Sequence, residues 1–158
     1  MLGHNSTVLA SNPFDGARCA QEGNDMTTDQ DRPDSPRALL EAFSLHAAAG
    51  DVDGLLALYE PGARFDPAPG VVCVGHDQIR PALAELAEAS PVITYEGDHQ
   101  IVAVDDIALV STRWSMAGTA PDGTPVIDGG TSADVLRRQD DGSWAVLIDR
   151  PHGVAPEA

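Results

Sequence analysis

A change of period near Pro91 constrains this chain more than any other feature. Before that proline, apolar residues recur at helical spacing. After it they recur every second residue over residues 92–104, 107–119, 131–138 and 143–148, which read as strands. Asp105-Asp106, Pro121-Asp122-Gly123 and Asp140-Asp141-Gly142 supply the turns between them. Helices followed by a run of antiparallel strands is an α+β plan.

Three helices are expected ahead of the strands. Ser35 caps the first, with Pro36 at its first helical position. Leu39, Leu40, Phe43 and Ala47 form its buried stripe, and His46 falls beside that stripe. Gly50 ends this helix and Asp51 caps the next. Val52, Leu55, Leu56 and Tyr59 then make a short apolar face that Pro61-Gly62 stops. Residues 63–66 read as a strand broken by Pro67-Ala68-Pro69-Gly70, and residues 71–74 read as its hairpin partner. The third helix covers residues 75–89, with Ile79, Leu83, Leu86 and Ala87 inward and Pro81 near the first turn. Residues 1–34 lack periodicity and are rich in Asn, Asp, Gly, Ser, Thr and Pro, so they read as a disordered extension. The folded domain is placed at residues 35–153, with a tail at 154–158.

Charge narrows the function. The formal charge is −16, from 25 acids against nine bases, and every base is Arg. Such a chain repels nucleic acid and anionic membranes. A hydrophobic fraction of 42% supplies a core without disulfides. Two cysteines, Cys19 and Cys73, make no disulfide framework, and a reduced cytoplasmic setting is the simplest expectation. No signal peptide or membrane span is legible, and no His, Cys and Asp spacing matches a metal site. Gly129-Gly130 lacks the strand and helix context of a phosphate loop.

Ionisable residues among apolar strand neighbours are the candidates for chemistry. Arg113, Asp134 and Asp149 each lie in or end an expected strand. Alternation groups Arg113 with Leu109, Ser111 and Ser115, and Asp149 with Ala145 and Leu147. If both faces point inward, a pocket holds a charge pair; a structural ion pair or a dimer contact is the alternative. His99 is in phase with Tyr95 and Ile101 and faces either a pocket or a dimer surface. Trp114 is core or pocket wall.

Several short motifs carry a family resemblance. They are Ala49-Gly50-Asp51-Val52-Asp53, Leu58-Tyr59, Phe65-Asp66-Pro67, Gly75-His76-Asp77-Gln78-Ile79, Gly142-Ser143-Trp144 and Ile148-Asp149-Arg150-Pro151. In this order the chain resembles the nuclear-transport-factor-2-like superfamily, and within it the SnoaL-like and ketosteroid-isomerase-like small bacterial proteins. The resemblance implies a cone-shaped (cystatin-like) α+β fold, three N-terminal helices packed on a curved antiparallel sheet. It also implies a homodimer formed through the convex sheet face. For function it implies a cofactor-independent isomerase, cyclase or dehydratase acting on a hydrophobic polyketide-like or steroid-like ketone.

In that reading Asp66 is the general base, with Tyr59 and Phe65 lining the pocket. A turn aspartate before Pro67 is the alternative. The stretch between Asp51 and Asp66 is about one residue shorter than the isomerase pattern. The tyrosine donor of those isomerases falls near Phe43, which has no hydroxyl, and His46 lies one helical turn further on as a substitute donor. A histidine favoured by the helix dipole is the other account of His46. Arg113 would stabilise developing negative charge and Asp149 would orient it. An Asp–Arg–Asp cluster would also resemble the epoxide hydrolases of the superfamily. A binding protein without turnover and a dimerising module share the same fold.

Overall fold

The computed structural model describes residues 32–154. The extension proposed for residues 1–34 lies outside them up to residue 31, together with Cys19 and most of the 154–158 tail.

Three helices precede most of the sheet: α1 Pro36–Ala48, α2 Val52–Ala57 and α3 His76–Glu88. The Ser35 hydroxyl accepts from the Ala38 N–H at 3.1 Å, and the Asp51 carboxylate accepts from the Gly54 N–H at 2.9 Å. Both are side-chain caps of the expected kind. Pro81 is the sixth residue of α3, not part of its first turn, and is exposed. Its ring therefore removes one internal helix bond on the solvent side.

Seven strands make one sheet: β1 Tyr59–Ala68, β2 Val71–Val74, β3 Val92–Val104, β4 Ile107–Thr119, β5 Pro125–Thr131, β6 Asp134–Arg138 and β7 Trp144–Asp149. The order is β2-β1-β7-β6-β4-β3, with β5 pairing β4 alongside. Every pair is antiparallel except β1 with β7, which run parallel. The long β4 pairs β6 through residues 107–110 and β5 through residues 113–119 along the same edge. A bulge between Glu96 and Gln100 bends β3, and Gly97 supplies the positive φ of 71° within it.

Two expectations about elements change. The short second helix ends at Ala57, and the chain is already strand at Tyr59, so Pro61-Gly62 lies inside a strand. The register with β7 slips between Tyr59 and Arg64, and this irregular stretch accommodates the proline and glycine. The strand expected at 131–138 begins only at Asp134, and Thr131 instead ends a separate strand, Pro125–Thr131, that the sequence reading does not contain. Its run of Asp128-Gly129-Gly130 hides the alternation.

The core lies between the helices and the inward sheet face. Leu39, Leu55, Ile79, Leu83, Val110 and Leu136 are almost fully buried, and Phe43, Tyr95 and Ile101 pack against them. Inward positions on β4 are Ala108, Val110 and Thr112; Leu109 and Arg113 face outward. No described helix is long and apolar enough to cross a membrane.

Candidate functional site

Because α2 stops early, Tyr59 enters the sheet at the start of β1, only 2% exposed. Its ring stands 6.0 Å from Phe65. Its hydroxyl donates to the Asp149 carboxylate at the end of β7. Asp134, at the start of β6, is the next group in the row. Its carboxyl accepts from the Ser132 hydroxyl at 2.7 Å and from the Arg150 backbone N–H at 3.1 Å. The Tyr59–Asp149 pair and the Asp134–Ser132 pair thus stand on the inner face of strands far apart in sequence.

The electrostatics divide the two acids. Burial is the main force that pushes Asp134 well above the usual carboxylate range, and the Asp149 charge adds to it. Burial also raises Asp149, while the Tyr59 hydroxyl and Asp134 oppose that rise. Burial therefore favours the protonated form at both acids, which titrate as a pair. Burial and the neighbouring Asp149 keep the Tyr59 phenol neutral. Tyr95, on the same sheet face, is raised by burial and then by the two acids, and its hydroxyl donates to the Leu40 carbonyl at 2.9 Å. The arrangement sets two carboxyls raised by burial and a neutral phenol on one inner face. That is the equipment of general acid–base chemistry.

The other sequence candidates sit elsewhere. Asp66 is buried but shares its face with Arg64, which grips it through Nε at 2.7 Å and Nη2 at 2.9 Å. Phe65 between them is a core residue, so alternation turns Asp66 to the opposite face from Tyr59. Arg64 holds the Asp66 carboxyl below the usual range, opposite to the rise expected of a general base in an apolar wall. Arg113 is exposed on the outer face, in register with Glu96 and Thr131, and does not meet Asp134 or Asp149. The expected Arg–Asp pocket pair is therefore not assembled. Its place is taken by Tyr59 and Ser132.

His46 contacts Asp51 through Nδ1 at 2.9 Å and is half exposed. A Cβ on Gly54 would come within 2.3 Å of both side chains, so the pair packs the α1–α2 corner. Phe43 packs on the core. His99 meets the Thr112 hydroxyl at 2.6 Å and stands edge-on to Tyr95 at 5.2 Å, on the inward face. Trp114 donates from Nε1 to the Pro151 carbonyl at 2.8 Å and packs against His152. Sequence reasoning missed Ser132, Arg64 and Arg150. The i, i+2 pairing of Arg64 with Asp66 was the signal available for the first arginine.

A mixed sheet with three helices on its inward face defines a class of small α+β proteins. A SnoaL-like domain model matches residues 37–147, from α1 into β7, and the chain belongs to this SnoaL-like family of the nuclear-transport-factor-2-like superfamily. Solved structures agree on the fold. A nuclear-transport-factor-2-like superfamily protein from Salmonella enterica serovar Typhimurium superposes with a TM-score of 0.65 at 14% identity, covering 76% of this chain and 89% of that one. A candidate scytalone dehydratase from Novosphingobium aromaticivorans gives 0.64 at 17% identity, over 72% and 77% of the two chains. A candidate dehydratase of the same superfamily from Streptomyces avermitilis gives 0.61 at 19%, over 77% and 93%. A search of curated proteins finds no match.

Proposed function

We propose that this protein is a cofactor-independent acid–base enzyme that isomerises, cyclises or dehydrates an uncharged hydrophobic ketone. The single observation behind this reading is the inward-facing Tyr59–Asp149–Asp134 cluster, a phenol bonded to one of two acids that burial raises. Asp149 takes a proton from carbon beside the ketone. Asp134 and the Tyr59 phenol donate toward the oxygen where negative charge develops. Dehydratase candidates among the structural neighbours support a reaction of this kind.

The test is deuterium incorporation. The protein is incubated in D₂O with unsaturated and polycyclic ketones, and exchange at carbon is followed by NMR for wild type, Asp149→Asn and Asp66→Asn. Exchange that collapses only in Asp149→Asn is expected. Exchange that survives in Asp149→Asn overturns the assignment. The internal hydrogen bonds of the cluster favour one second reading, a binding protein without turnover. Ligand occupancy with no exchange supports that reading, and epoxides form the next panel.

The proposal includes a homodimer through the outer sheet face. Val92, Ala117 and Ile127 lie in one register row across β3, β4 and β5, and Ile127 is 79% exposed. Val102 and Leu109 make a second exposed apolar row. An exposed apolar face of this kind marks an interface. Ile127→Glu is expected to convert a dimer to a monomer in sedimentation; a wild-type monomer at high concentration removes the idea.

A further inference from the structure

Asp66 and Arg150 belong to two of the motifs that carry the family resemblance, and acid–base chemistry on the inner face uses the side chain of neither. They meet on the other side of the sheet. The parallel register of β1 and β7 sets Phe65 beside Asp149, so Asp66 comes level with Arg150. Arg64 reaches Asp66 from the same strand, and Arg150 approaches from the next one, with Nε at 3.3 Å from Asp66 Oδ2. Two guanidinium groups thus converge on one carboxylate, leaving a net positive charge within the cluster of a chain whose formal charge is −16.

The donors are only partly used. Arg64 commits Nε and Nη2 to Asp66. Arg150 Nε is buried and forms no hydrogen bond of acceptable geometry. Among the described residues no hydrogen bond is formed by Arg64 Nη1 or by the terminal nitrogens of Arg150. The two side chains remain 49% and 40% exposed, while Asp66 beneath them is 7% exposed. A buried carboxylate that orients two half-open planar forks is the arrangement that binds oxyanions by paired, charge-assisted hydrogen bonds. The donors that a ligand from solvent meets are the open terminal nitrogens of the two forks, while the buried Arg150 Nε faces Asp66.

We infer that Arg64 and Arg150, pinned by Asp66, form an oxyanion-binding clamp on the outer face of β1 and β7, taking the carboxylate or phosphate group of a small diffusible ligand. Asp66 is then a positioning residue for two arginines. The clamp faces away from the acid cluster and shares none of its side chains, so its failure would leave the proposed enzyme reading intact.

The test uses the full chain and observes the arginine Nε–Hε signals by NMR. Acetate and inorganic phosphate are titrated separately at constant ionic strength, balanced with chloride. Saturable shifts of the Arg64 and Arg150 signals are expected, with apparent affinity weakened about tenfold or more in Arg150→Gln and in Arg64→Gln. Phosphate favoured over acetate marks a phosphate ligand, and the reverse marks a carboxylate. The far-ultraviolet circular dichroism of each variant shows that it is folded. Arg150→Lys adds a second check, since it keeps the charge and loses the planar fork, and its affinity is expected to fall. Shifts that follow chloride alone, or that persist in both glutamine variants, overturn the clamp. Signals already shifted without added anion that relax when the protein is diluted to monomer would also overturn it, because a carboxylate of a second copy would then be the occupant.

Discussion

Two aspartates lie back to back across the β1–β7 pair and have opposite chemistry. Asp149 faces the core, bonded to a phenol, and burial raises it. Asp66 faces the other way, beneath two arginines, and is held low. They are neighbours through the backbone, and the charge on Asp66 even contributes to the rise of Asp149. What separates them is strand parity. One residue of register along β1 decides whether a carboxylate meets an apolar interior or a guanidinium. An aspartate within a family motif is therefore a catalytic residue only if the strand also delivers it to the inner face.

The largest contrast concerns turnover. Asp149→Asn is expected to lower deuterium exchange by about 100-fold or more, the scale of a lost general base, whereas Asp66→Asn changes it by less than about threefold. Equal losses in the two variants would erase the distinction between the faces.

The pH dependence of stability should differ in sign. Asp134 is raised in the folded state, so the fold holds its proton more tightly than the unfolded chain does. Wild type then loses stability as pH rises from about 4 toward the folded value, by up to about 1.4 kcal/mol per pH unit. Asp134→Asn mimics the neutral acid and should gain on wild type over that range in urea titrations. Asp66 is depressed, so its contribution is present above about pH 4 and is lost as pH falls through its folded value. Asp66→Asn should flatten the acid limb alone.

A smaller effect attends Asp66→Ala, about 1–2 kcal/mol in urea unfolding, because the half-exposed arginines regain water when their shared partner is removed. Smallest is His46→Ala. Its partly exposed pair with Asp51 is worth about 0.5 kcal/mol, and exchange should be unaffected. A large loss of exchange there would return His46 to the site.

Much of the architecture was legible because long alternating runs leave few choices. The β3 and β4 strands match their expected limits, and the caps at Ser35 and Asp51 form as their side chains dictate. Periodicity failed where a residue served two patterns. Tyr59 completes a helical face in sequence yet begins a strand, since the tertiary partner Asp149 lies 90 residues away. The inner acids were identified as ionisable strand residues, but their partners were not, because pairing across β6 and β7 depends on a register shift that no local pattern announces. The face of Arg113 stayed open for a simpler reason. Alternation groups residues by face and does not say which face is inside.

The parallel pairing of β1 with β7 has a consequence for biosynthesis. The inner edge of β1 stays vacant until the last strand arrives, and Tyr59 lacks its carboxylate until Asp149 has left the ribosome. Earlier segments emerge with an open strand edge and an unpaired buried phenol, conditions that favour association with other chains. Completion of the sheet therefore waits for a strand 90 residues beyond Tyr59. A stop codon in the turn just before β7 yields a polypeptide with most of its sequence and none of its assembled acid pair.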